Sequence, residues 1–136
     1  MIRVFVYGTL KPGESNYYLC AERVISTQSA IVHASLYHLP LGYPAIVPGD
    51  GITHGYLLMF YDAEILEILD EYEQHDPIEI EPFGSSNDYQ RQEIEAFDLN
   101  QVSLGIAWAY VMTQEKIDRL NGSLVSSGIW QKNSPQ

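Results

Sequence analysis

Two short stretches of this 136-residue chain carry residue types at spacings that could do chemistry. The first is LDEYEQHDP, in which Asp70, Glu71 and Glu73 crowd the expected C-terminal end of a helix, where the macrodipole disfavours carboxylates. A carboxylate held there and also buried would have a raised pKa, as a general base working near neutral pH requires. Glu73 comes just after Leu69 and Tyr72 of the apolar stripe and is the candidate to turn inward. Asp70 and Glu71 read as a solvated acidic face or a local cap, and a solvated face is also the alternative for Glu73. The second stretch is Tyr7-Gly8-Thr9-Leu10, where an apolar run stops abruptly. A strand ending at Gly8 frees several backbone N–H groups at one spot, and a residue without Cβ lets a ligand approach them; such groups make an anion-binding nest. A plain strand-to-loop turn is the alternative reading.

Other chemistries find less support. His33, His38, His54 and His75 include no pair at the i, i+4 spacing of a zinc hydrolase, so no metal site is expected. His33 and His38, five apart in one expected strand, would face opposite ways and read as structural histidines. Cys20 is the one cysteine and cannot close an internal disulfide. It reads as a small buried hydrophobe in a reducing, cytoplasmic setting. The G-x-S-x-G of a serine hydrolase is absent. A formal net charge of −11 repels phosphate backbones and anionic membrane surfaces, so neither nucleic acid nor membrane is expected as a partner. No apolar run approaches the ~20 residues a membrane helix needs, and no secretory leader is expected.

The elements that must position these residues follow from periodicity and breakers. Ile2 to Val6 is a buried strand, stopped at Gly8 and confirmed by the Pro12-Gly13 turn. NYYLCA allows one or two helical turns, AIVHASLYHL is a second strand and HGYLLMF a third, with LGYPAIVPGDG between them as an irregular loop. Asp62 is the expected N-cap of the clearest helix, in which Ile65, Leu66, Ile68, Leu69 and Tyr72 share one face and whose end falls near Glu73 to Asp76, before Pro77. DYQRQEIEAF and SLGIAWAYVM pair as a hairpin. In the second of these Ile106, Trp108, Tyr110 and Met112 alternate with Ala107, Ala109 and Val111, so something close-packed lies against the small face. The tail from Asn121 reads as polar with one apolar pair, Ile129 and Trp130. One domain over residues 1–132 is expected, with 133–136 as a frayed tail. Five or six strands with few helices predict an α+β fold, a small mixed β-barrel or curled sheet with short helices packed outside.

In identity and order, YGTL after an N-terminal strand, GYPAIVPG before HGYLLMF, LDEYE at a helix end, YQR and AWAYV resemble the γ-glutamylcyclotransferase-like family, which includes γ-glutamylamine cyclotransferases and AIG2-like proteins. The resemblance runs from about Val4 to Val111. It implies a β-barrel flanked by helices with a ligand cavity at its mouth. It also implies that Tyr7, Gly8, Thr9 and Leu10 hold the α-amino acid end of a γ-glutamyl substrate. The catalytic carboxylate, carried in an L-D-x-x-E segment, falls on Glu73, although Gln74 stands where the family often has Gly. Tyr89 and Tyr110 are implied as cavity-lining aromatics. The implied reaction is release of 5-oxoproline from a γ-glutamyl amide or amino acid, with Glu73 as base and then acid and with no cofactor or metal. A non-catalytic binding module, or a regulatory or assembly protein using its ten tyrosines as an interface, is the alternative. A homo-oligomer is left open.

Overall fold

A computed structural model describes residues 1–40, 42–74 and 89–131, and of residues 73 and 74 the backbone alone. The apolar, β-branched run Ile2–Val6 forms β1. Two single 3-10 turns, Tyr17–Leu19 and Ala21–Arg23, lead into a long hairpin of β2 (Val24–His38) and β3 (Pro44–Phe60). Helix α1 spans Glu64–Gln74, its Glu64 N–H donating to the Asp62 carboxylate at 3.1 Å, as the expected cap requires. A second hairpin of β4 (Gln90–Phe97) and β5 (Ser103–Val111) follows. The order ends with the short helix α2 (Gln114–Arg119) and the two-residue β6 (Ser123–Leu124).

Hydrogen bonding runs β3-β1-β5-β4-β2, and β2 also pairs with β3, so five strands close into a ring, with β6 added on β2. β1 lies antiparallel to β3 and parallel to β5. The architecture is therefore α+β with a mixed, ring-like six-stranded sheet, in line with the fold expected from the sequence. Among the described residues no helix is long and apolar enough to cross a membrane.

Side-chain alternation divides the core. Phe5 and Tyr7 join a cluster with Val32, Leu36, Ile46 and Leu57. Val4 and Val6 pack instead with Leu58 and Phe60 of β3 and Ile65, Leu66 and Leu69 of α1. From Val4 to Val6 β1 is thus buried on both faces, which is why that part reads as an unbroken apolar run. The first cluster also takes Ala30, Ala34, Ala96, Ala107 and Ala109, all at most 2% exposed. The small face of β5 is small because other strands pack against it.

Two expectations need correction. β2 begins at Val24 rather than Ala30, and LGYPAIVPGDG is no irregular loop, since β3 already starts at Pro44. Pro44 opens the strand opposite His38. Pro48 stands opposite Ala34, where the register then jumps to Ile52 opposite His33, so residues 49–51 form a bulge. Strand starts and bulges are the places a sheet tolerates proline. Of the tail's apolar pair, Trp130 is 1% exposed and belongs to the first cluster. Residues 133–136 lie outside the described residues.

Cys20 is buried beside Leu10 and Tyr17, and burial pushes its thiol up to about 11. The folded protein should therefore give no fast thiol titration with a chromogenic disulfide at pH 8 and one equivalent in denaturant. One equivalent reacting at once in buffer would contradict this burial.

Candidate active site

The parallel strands β1 and β5 bring their C-terminal ends to one side of the ring, and a cavity opens there. The space it encloses, open mouth included, is about 510 Å³. Tyr7, Gly8, Thr9 and Leu10 line it, as do Tyr43 and Pro44 at the entry to β3, Tyr72 in the last turn of α1, Tyr89 just before β4 and Tyr110 near the end of β5. All six candidate substrate-binding positions thus meet in one place. Glu73 follows Tyr72 in the last turn of α1; its side chain lies outside the described residues.

Hydrogen bonds stiffen the walls. The Tyr7 hydroxyl donates to the Tyr110 carbonyl at 2.6 Å, joining the end of β1 to β5, and the Tyr89 hydroxyl donates to the Pro44 carbonyl at 2.7 Å. The loop after β1 folds on itself: Lys11 N–H donates to the Gly8 carbonyl (3.0 Å), Glu14 N–H to Lys11 (2.9 Å) and Asn16 N–H to Thr9 (2.9 Å). Among the described residues no protein acceptor takes the N–H of Gly8, Thr9 or Leu10. N–H groups without a protein acceptor on successive residues are one condition for a nest.

Gly8 is required here by a protein neighbour. A Cβ at this position would come within 2.6 Å of Pro44 Cγ, so the bare backbone makes room for the proline that opens β3. Gly8→Ala should destabilise the fold by roughly 1–3 kcal/mol through overpacking and close the cavity at its rim. An unchanged urea midpoint would show that Pro44 yields freely.

Asp70 is not a solvated face residue. It accepts from the Tyr110 hydroxyl at 2.6 Å and from Arg91 through Nε (2.9 Å) and Nη2 (3.2 Å), while the Arg91 guanidinium stacks 4.5 Å from the centre of the Trp108 ring. α1 is thereby tied to β4 and β5 one turn before Glu73. Arg91 is one of seven cations in the chain, and nothing in the linear sequence joins it to Asp70. A further contact went unforeseen: the Asn16 amide nitrogen donates to Thr9 Oγ1 (3.0 Å) and to the Tyr72 hydroxyl (2.7 Å), and those two oxygens are 3.2 Å apart.

His33 and His38 make structural contacts. His33 is exposed and stacks on Phe97 with ring centres 4.6 Å apart, and His38 Nδ1 accepts from Trp130 Nε1 at 3.1 Å. His75 lies outside the described residues.

The profile of the family described as gamma-glutamyl cyclotransferase, AIG2-like matches residues 4–132. The chain belongs to this family. A Vibrio cholerae relative within the gamma-glutamylcyclotransferases is 34% identical over 130 residues, 93% of each chain. The gamma-L-glutamyl-butirosin B gamma-glutamyl cyclotransferase of Niallia circulans is 28% identical over 117 residues, 85% of this chain and 69% of that one. In fold, an AIG2-like protein of Mus musculus superposes with a TM-score of 0.67 over 99% of this chain and 91% of its own, at 20% identity. The cyclotransferase-like class expected from YGTL and LDEYE thus stands on the whole chain rather than on short motifs.

Proposed function

We propose that the protein releases 5-oxoproline from a γ-glutamyl amide or γ-glutamyl amino acid. The substrate's own α-amine attacks its γ-carbonyl, a C–N bond closes the five-membered lactam, and the bond to the leaving amine breaks. No water is consumed and the nucleophile comes from the substrate, so the reaction draws on neither metal nor cofactor. The observation that carries this reading is the meeting of two chain segments at one cavity: Thr9 of the loop after β1 stands 3.2 Å from Tyr72 of the last turn of α1. The γ-glutamyl group lies on Tyr7 to Leu10, where the N–H groups of Gly8, Thr9 and Leu10 hold its α-carboxylate or the developing oxyanion. Tyr89 and Tyr110 wall it in. Glu73 takes the proton from the attacking ammonium and returns it to the leaving amine. Holding amine and carbonyl in contact is the main effect, able to supply ~7–11 kcal/mol of barrier reduction in good cases. The cyclotransferase activity for which the Niallia relative is named agrees with this class, and the unpaired Cys20 suits a reducing, cytoplasmic setting.

A panel of γ-glutamyl amides that differ only in the leaving amine tests the proposal. The expected result is equimolar 5-oxoproline and free amine from at least one member. Folded protein that releases neither from any member would reject it.

A further inference from the structure

We infer that Asn16 is a positioning residue that clamps the loop after β1 to the last turn of α1 and so fixes the substrate's reacting atoms relative to Glu73, an inference that rests on the proposed reaction. An Asn amide nitrogen carries two divergent hydrogens, and here they reach two different elements: Thr9 Oγ1 at 3.0 Å and the Tyr72 hydroxyl at 2.7 Å. Serine has one such hydrogen and aspartate none. The loop does not need this side chain for its own shape, since the bonds from the N–H groups of Lys11, Glu14 and Asn16 are all made by backbone. What the side chain adds is a link across 56 residues of sequence, from the loop to the helix.

Apolar contacts alone would not set that distance. Leu10 shares a cluster with Leu69 and Tyr72, but such packing is non-directional and tolerates sliding. A triangle of Asn16, Thr9 and Tyr72 with sides of 2.7, 3.0 and 3.2 Å does not slide without losing a bond. Thr9 and Tyr72 line the cavity whereas Asn16 does not, so Asn16 acts through them. Displacement of a reacting group by 1 Å can cost on the order of 10²-fold in rate.

The test compares Asn16→Ala, Tyr72→Phe and the double variant on whichever γ-glutamyl amide of the panel the wild type turns over fastest, alongside backbone hydrogen exchange of residues 8–16 and 64–74. Expected are a fall in kcat of roughly 10- to 100-fold for each single variant, KM within about 3-fold, and a double variant no slower than the worse single one. Exchange in both segments should quicken in Asn16→Ala. Additive losses, a change confined to KM, or unaltered exchange would overturn the inference. If the wild type releases no 5-oxoproline, the reaction is what fails, and hydrogen exchange by itself decides whether the clamp exists.

Discussion

Glu73→Gln is expected to slow 5-oxoproline release by ~10²–10⁴-fold while the protein still binds the γ-glutamyl amide, since that is the usual worth of a general acid-base group. Glutamine keeps the length and the polarity of the side chain but cannot take up the ammonium proton, so orientation by the loop survives and proton transfer does not. Position 73 follows Asp70 by three residues, which puts the two on neighbouring positions of one face of α1. Asp70 reaches the cavity wall through Tyr110, and Tyr72 reaches Thr9. A model Glu titrates at ~4.3, so the acid half of the proposed cycle needs a carboxyl raised above that value. Steady-state kcat and calorimetric titration of substrate into the variant check this together. A variant as fast as wild type would remove Glu73 from the mechanism.

Trp130→Ala is expected to cost about 3–5 kcal/mol of unfolding free energy, the range for emptying a large aromatic site in a packed core. Trp130 is 1% exposed and packs with the cluster that Phe5, Tyr7, Val32 and Leu36 form. Its indole N–H donates to His38, and its carbonyl accepts from Lys11 Nζ at 2.7 Å. Lys11 is itself only 8% exposed, and burial pushes its pKa below the usual lysine value, with Glu14 countering in part. The truncation keeps the carbonyl but leaves a hole and an unpaired His38 nitrogen in its place. With a urea m-value of about 2 kcal/mol/M, the unfolding midpoint should fall by roughly 2 M. Ile129→Ala, at a position 43% exposed, should move it little. A loss below about 1 kcal/mol for Trp130→Ala would mean that the tail is not part of the core.

Local pattern made much of this molecule readable. β1, α1 and the β4–β5 hairpin announce themselves by apolar runs, a 3.6-residue stripe and large-small alternation, because each buries a face that its own sequence must supply. The start of β3 was hidden because Pro44 and Pro48 argue against a strand locally, and only pairing with β2, with a bulge between, makes them tolerable. Trp130 was hidden for a related reason: two apolar residues in a polar tail carry no period, and the space that receives the indole is made by other strands. At the site, Tyr7 to Leu10, Tyr89 and Tyr110 were legible through an ordered set of motifs. Asn16 and the Asp70–Arg91 pair were not, since both act across long sequence separations that a linear reading does not join.

Whether the substrate attacks itself is decided by product analysis in ¹⁸O-labelled water. Self-attack yields 5-oxoproline free of solvent label, formed one for one with the leaving amine. Glutamate carrying ¹⁸O in its γ-carboxylate would instead show that water is the nucleophile, and would contradict it.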